Sequence, residues 1–193
     1  MSPVLRLASA SPRRQALLAQ IGVPHAVAVA DVDEGVRGGE AATAYVERLA
    51  RAKAEAIWQD WRDLPVLGAD TTVVLDGLSL GKPRDRTDGL AMLAGLAGRE
   101  HQVLTAVALV TDAGTRCLTS ISTVRMRRSS PEERARYWDT GEPCDKAGAY
   151  AIQGLGAVFI ESLQGSYSGV MGLPLFETAQ LLAQAKVPCW SPP

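Results

Sequence analysis

Apolar and polar positions along this chain repeat with two different periods, and the switches between them mark its elements. Residues 3–8, "PVLRLA", read as a short strand. Ser11 then fits a helix N-cap and Pro12 the first helical residue, with Leu17, Leu18 and Ile21 on one face and Gly22 as the stop. Residues 26–32 predict a second strand, leading into "DVDEG". The clearest helical period covers 41–61, where Val46, Leu49, Ala50, Ile57 and Trp61 keep one face. Lys53 lies on that same face, four residues from Leu49 and from Ile57. "VLGADTTVVLDG" reads as a buried strand ending in an Asp-Gly turn, with "LSLGKPRD" as its return. A helix follows near 87–97, then two strands, "HQVLTAVALV" and "RCLTSISTVRMR", joined by "TDAG". Ser130 and Glu133 form a capping box around Pro131 that opens the helix "PEERARYWDT", and Gly141 stops it. "AGAYAIQGLGAVFIESLQG" predicts a strand pair interrupted by Gly154 and Gly156, and "LPLFETAQLLAQA" a final helix.

This interleaving of helices with hairpins predicts an α/β fold: a mixed β-sheet flanked by helices rather than a purely parallel sheet. With 193 residues, 47% of them hydrophobic, the chain suits one domain over 1–193, in two closely packed lobes, with residues 187–193 a loose tail. It has no internal repeat, low-complexity tract or long linker. A formal net charge of -1 offers no electrostatic footprint for nucleic acid or a membrane surface. No apolar run approaches the ~20 residues of a membrane-spanning helix, and "MSPVLRLASASPRR" lacks the pattern of a signal peptide. Cys117, Cys144 and Cys189 are odd in number and widely spaced, which fits a reducing, cytoplasmic location. Only His25 and His101 are available for a histidine-built zinc site, so any metal should be a hard cation held by carboxylates and phosphates.

Several polar residues stand where the pattern does not ask for them. "LASASPRRQALL" crowds Ser9, Ser11, Arg13 and Arg14 at a strand-to-helix junction. A helix N-terminus with free N–H groups, hydroxyls and guanidinium forks suits phosphate oxygens; equally, Ser-Pro simply caps a helix and the arginines are solvated. Asp70 sits among residues that should be buried, where an ionised carboxylate needs a partner. Backbone N–H groups or a cation would both supply one. Lys53 on its apolar stripe either snorkels to water or serves a site. Lys82 in "GKPRD", Glu34 in "DVDEG" and Gln153 before Gly154 each have an ordinary reading as solvated or backbone-bridging residues. Together they offer four cations, two carboxylates and an amide, an inventory that suits a triphosphate with a divalent metal. No P-loop and no G-x-G-x-x-G fingerprint is present, and "QGLG" is too short for one. Cys144 has no histidine nearby in sequence to activate it.

"LASASPRRQALL", "VLGADTTVVLDG", "GKPRD", "HQVLTAVAL" and "DKAGAYAIQGLGAVFIESLQGSYSGVMGLPL" occur in this order and resemble the Maf (septum formation inhibitor) family of nucleoside triphosphate pyrophosphatases, from about residue 4 to 183. The resemblance implies two lobes around a deep cleft, similar to the inosine triphosphate pyrophosphatases. It implies hydrolysis between the α and β phosphates, giving a monophosphate and pyrophosphate. Asp70 would activate water as the catalytic proton acceptor or share in holding a divalent metal, Mg²⁺ or Mn²⁺, with Glu34 assisting metal or water. Ser9, Ser11, Arg13, Arg14, Lys53 and Lys82 would bind phosphates. Arg13, Thr71 and Gln153 would set specificity, and "ADTT", "AIQGLG" and "GSYSGVMGLPL" are similar to the dTTP/UTP branch. A homodimer is implied as well. Rival expectations are a non-catalytic nucleotide-binding regulator of septum formation, or a pyrophosphatase for 7-methyl-GTP or ITP.

Overall fold

Strands form where the period of two is strongest. The computed structural model describes residues 2–190. Seven strands, β1 (Leu5–Ala8), β2 (His25–Ala28), β3 (Val66–Leu75), β4 (Leu78–Leu80), β5 (Glu100–Thr111), β6 (Gly114–Met126) and β7 (Ile160–Gln164), make one sheet in the order β2-β1-β3-β5-β6-β7, with β4 on β3. β1 runs parallel to β2 and β3, and every other pairing is antiparallel, so the sheet is mixed as expected. The helices are α1 (Pro12–Gln20), α2 (Ala42–Asp60), α3 (Arg86–Leu96), α4 (Pro131–Asp139), α5 (Tyr167–Met171) and α6 (Leu175–Gln184).

Alternation along β3 sends its residues to two different cores. On one face Val66 joins Ala106 and Ala108 of β5 under Val46, Ala50 and Ala54 of α2. On the other, Leu67, Val107 and Leu109 pack with Leu17 and Leu18 of α1 and with Leu181 and Leu182 of α6. Further along that same face, Val73, Val103 and Val124 pack with Leu93 and Leu96 of α3 and Tyr137 of α4. Between these two clusters Thr71, Thr105 and Ser120 stand side by side in register. Thr105 is bonded to Thr71 (2.9 Å) and to the Gly169 carbonyl (2.8 Å). This polar strip separates the two apolar clusters on that face of the sheet.

Four expectations change. The strand predicted over 26–32 stops at Ala28. Trp61, assigned to the buried face of α2, lies past the helix end and is 52% exposed, its ring beneath the Arg6 guanidinium at 4.6 Å. The predicted strand pair over 147–164 contains one strand, β7; the rest is two 3-10 turns, Ala147–Ala149 and Leu155–Phe159, with irregular backbone between. α5 did not stand out in the pattern because it is only one and a half turns long. Of the tail expected to be loose, Val187 is buried in the core beside α6 and the Trp190 N–H donates to the Ile21 carbonyl (2.7 Å). Residues 191–193 lie outside the described residues.

Candidate active site

One edge of β3 is left open. β1 pairs with it at Val66 and Leu67, and β4 from Val73 to Leu75, so residues 68–72 take no strand partner on that side. A cleft of about 620 Å³ lies there. Every residue that the sequence offered for phosphate, metal or base lines it: Ser9, Ser11, Arg13 and Arg14 from the β1–α1 junction, Glu34 from the β2–α2 loop, Lys53 from α2, Asp70 and Thr71 from β3, Lys82 from the segment after β4, and Gln153 from the irregular stretch between the 3-10 turns.

Asp70 is brought to Lys53 by a glycine two residues away. A Cβ on Gly68 would stand 2.3 Å from the Ala50 carbonyl oxygen and 2.8 Å from the Ala54 nitrogen, so α2 lies directly on the β3 backbone at this point. Lys53 sits between those two contacts, and its Nζ reaches Asp70 Oδ1 at 2.7 Å. The same Nζ lies 2.6 Å from Glu34 Oε1. Asp70 is only 7% exposed. Burial raises its pKa, while Lys53 and Arg14 work against the rise. Asp70 Oδ2 accepts no hydrogen bond among the described residues, which leaves it for a ligand or water. Glu34 is more exposed. Partial burial pushes its pKa up, but the Lys53 hydrogen bond and the charges of Lys53, Lys82 and Arg14 outweigh that and hold it below the ordinary value.

The two adjacent arginines have separate surroundings. Arg14 donates from Nε to the Gly172 carbonyl (2.8 Å), from Nη1 to Ser9 Oγ (3.2 Å) and from Nη2 to Thr71 Oγ1 (3.4 Å). It ties β1, β3 and α5 together at the cleft floor, and desolvation there lowers its pKa, partly offset by Asp70. Arg13 has one loose ion pair, 4.0 Å from Asp145. Ser11 caps α1 by accepting from the Arg14 N–H (3.5 Å), and Ser9 Oγ accepts from the Ser11 N–H (3.2 Å). Lys82 is exposed and makes no ion pair among the described residues. The Gln153 carboxamide is half-buried and likewise makes no hydrogen bond among them.

Further residues of the lining support these. Tyr45 donates to the Glu34 carbonyl (3.1 Å) and so fixes the acidic loop on α2. Lys146 is half-buried and bonded to Asp145, which also faces Arg13. Burial opposes ionisation of Asp145, but Lys146 and Arg13 outweigh it and lower its pKa. The signal for this pair was "CDKAG", where Cys144 drew attention instead; Cys144 is a free, exposed thiol outside the cleft lining. A cleft with five cationic side chains around a buried carboxylate can hold a polyanion and present a base to a water molecule beside it.

The fold belongs to a known α/β class. The Staphylococcus aureus Ham1 protein superposes with a TM-score of 0.54 over 94% of this chain and 98% of that one, at 13% sequence identity, a likeness of fold alone. Residues 4–185 match the family model described as Maf-like protein, and the chain belongs to that family. It is 53% identical over 190 residues to a Hahella chejuensis protein named dTTP/UTP pyrophosphatase, covering 97% of this chain and 94% of that one. Proteins of the same name from Bordetella parapertussis (55% over 194 residues, 96% and 94% covered) and Saccharophagus degradans (53% over 190 residues, 96% and 90% covered) are similarly close.

Proposed function

We propose that this chain is a nucleoside triphosphate pyrophosphatase that hydrolyses dTTP and UTP to the monophosphate and pyrophosphate, clearing unwanted or modified nucleotides. The observation that carries the reading is Asp70: a buried carboxylate with one oxygen on Lys53 and the other open to a cleft ringed by Arg13, Lys82 and Lys146. Water attacks at the α–β phosphoanhydride; a new P–O bond forms, the bond to pyrophosphate breaks, and Asp70 takes the proton. Lys53, Lys82 and Arg13 neutralise the oxygens of the departing pyrophosphate, and Arg14 keeps the cleft floor in shape. Arg13, Thr71 and Gln153 discriminate among nucleotides.

Glu34 and Asp70 already share one cation, the Lys53 ammonium, at 2.6 and 2.7 Å. Two converging carboxylates are the donor set from which a hard divalent ion is held when phosphate oxygens and water complete its shell. No group of three or more acidic, histidine or cysteine side chains suited to a metal exists among the described residues, so the triphosphate would supply the remaining ligands. Glu34 and Asp70 would hold Mg²⁺ or Mn²⁺, which when bound offsets charge on the triphosphate oxygens. A cytoplasmic homodimer is the working form under this reading; the free thiols Cys117, Cys144 and Cys189 suit a reducing compartment. Among the described residues no helix is long and apolar enough to cross a membrane.

A substrate panel tests the proposal. Pyrophosphate release is measured from dTTP, UTP, CTP, ITP and 7-methyl-GTP, with Mg²⁺, with Mn²⁺ and with chelator. Release that is fastest for dTTP and UTP and stops with chelator supports it. Tight nucleotide binding without turnover would make the chain a regulator, and preference for ITP or 7-methyl-GTP would move it to another substrate class.

A further inference from the structure

Gln153 reaches the cleft from a stretch, Tyr150 to Gly154, that belongs to no helix or strand. Its backbone donors must find partners elsewhere. The Gly154 N–H turns back to the Ala151 carbonyl (3.4 Å), and two side chains take three more N–H groups on either side of Gln153. The Ala151 N–H donates to the Tyr137 hydroxyl oxygen at 3.1 Å. The Leu155 N–H donates to Glu142 Oε2 and the Gly156 N–H to Glu142 Oε1, each at 2.9 Å. The Tyr137 hydroxyl in turn donates to Glu142 Oε1 at 2.7 Å. One tyrosine from α4 and one glutamate from the turn after it therefore grip the chain on both sides of Gln153.

The two glycines of "QGLG" are shaped to this grip. A Cβ on Gly154 would lie 2.0 Å from Glu142 Oε2, and one on Gly156 would lie 2.5 Å from the Tyr137 hydroxyl and 2.8 Å from the Ala151 carbonyl oxygen. Neither position has room for a side chain while the grip is in place. Tyr137 itself is locked: it is 5% exposed and packs edge-on against Phe159, ring centroids 5.3 Å apart. Beyond the grip, Tyr150 is held through its hydroxyl by His101 Nε2 at 2.7 Å. Within this fixed frame the Gln153 carboxamide has no protein partner among the described residues and faces the cleft.

We infer that Tyr137 and Glu142 are positioning residues that set the nucleobase selectivity of the cleft by holding Gln153 in register with the base. Neither touches the cleft; both act through the Gln153 backbone. The inference rests on reading Gln153 as a base-contacting residue. Hydrogen bonds to a base edge tolerate little displacement, and a misplacement of about 1 Å can cost on the order of 10²-fold. Arg13, Lys53 and Lys82, which neutralise the phosphates, stand on other elements, so their grip on pyrophosphate does not depend on Tyr137.

The test compares Tyr137→Phe, Glu142→Ala, Glu142→Gln and Gln153→Ala. For each, kcat/KM is measured with dTTP, UTP, CTP and GTP, together with inhibition by inorganic pyrophosphate and the melting temperature. Tyr137→Phe removes one oxygen and keeps the packed ring, so it reports even if Glu142→Ala fails to fold. The expected result is a fall of about tenfold or more in the dTTP-to-CTP and dTTP-to-GTP ratios, through KM, with pyrophosphate inhibition unchanged. Glu142→Gln, which keeps an acceptor oxygen, retains more of the ratio than Glu142→Ala. Adding Tyr137→Phe to Gln153→Ala brings no further loss of selectivity, because both remove one contact. Ratios that collapse in Gln153→Ala but stay within twofold of wild type in Tyr137→Phe overturn the positioning role alone. An equal loss on every substrate, tracking the melting temperature, overturns it too. Ratios unchanged in Gln153→Ala overturn the reading of Gln153, and the inference with it.

Discussion

A proton acceptor has to be ionised, and Asp70 sits where ionisation is opposed. Burial raises its pKa above the ordinary 3.8, against the pull of Lys53 and Arg14. The consequence is a pH limb: kcat/KM for pyrophosphate release falls as acidification protonates Asp70. Asp70→Asn removes that limb and costs about 10²–10⁴-fold in kcat, the span typical of a lost general base. Unchanged activity in the variant takes Asp70 out of the chemistry. His101 makes a second single-residue case, this time in stability. It is 3% exposed, and burial lowers its pKa from 6.5 to about 4. Above pH 6.5 it is neutral in both folded and unfolded chains and has no effect. Between 6.5 and 4 the unfolded chain takes up the proton and the folded one does not, so stability drains away by ~3 kcal/mol. Urea unfolding at pH 7 and pH 4 should show that loss in the wild type and a smaller one in His101→Gln.

At the scale of elements, the contact between α2 and β3 is the joint on which the site turns. In Gly68→Ala the new methyl group meets backbone atoms of Ala50 and Ala54, which cannot swing aside as a side-chain tip would. Overpacking of this kind costs about 1–3 kcal/mol, and the helix must lift, carrying Lys53 away from Asp70. Urea unfolding and pyrophosphate release should fall together; a variant of full activity would show that the joint does not place Lys53. The same joint shows what could be read in advance. Lys53 and Asp70 each broke an apolar pattern, and a charge on a core face needs a partner, so both were visible as anomalies; that each answers the other was not, because 17 positions separate them. Features closed within a few residues were fully legible. The capping box of α4 is one, with Ser130 Oγ on the Glu133 N–H at 3.2 Å and Glu133 on the Ser130 N–H at 2.9 Å. The Asp76-Gly77 turn is another, both residues at positive φ (52° and 78°). The stretch 147–159 misled for the converse reason. Three of its N–H groups, those of Ala151, Leu155 and Gly156, donate to the side chains of Tyr137 and Glu142 rather than to a neighbouring strand, and no period in the sequence reports such partners. Trp61 continued the helical spacing past the end of α2, where Arg6 and not the core receives it.

Three apolar clusters build the whole molecule, and the cleft opens beside the polar strip between two of them. Its basic residues come from separate elements: Arg13 and Lys53 from α1 and α2, Lys82 and Lys146 from the segments after β4 and α4. A triphosphate bound between them ties these elements together. Binding to the folded chain alone stabilises it by about 2.7 kcal/mol at a hundred times Kd. For a chain of this size each kcal/mol moves the melting temperature by ~2–4 °C. An α,β-methylene analogue of dTTP, which is not cleaved, should therefore raise it by ~5–10 °C in the presence of Mg²⁺. In Lys82→Ala a tenfold weaker affinity at the same analogue concentration leaves about 1.4 kcal/mol, so the shift should be roughly halved. Hydrogen exchange locates the effect: slowed amides are expected both in the first turn of α1 and around residues 146–151. Protection confined to one side would mean that the ligand occupies one wall only, and that the phosphates are not gripped from both. Protection on both sides with a full-sized shift in Lys82→Ala would keep the bridge but assign it to Lys146, the cation paired with Asp145.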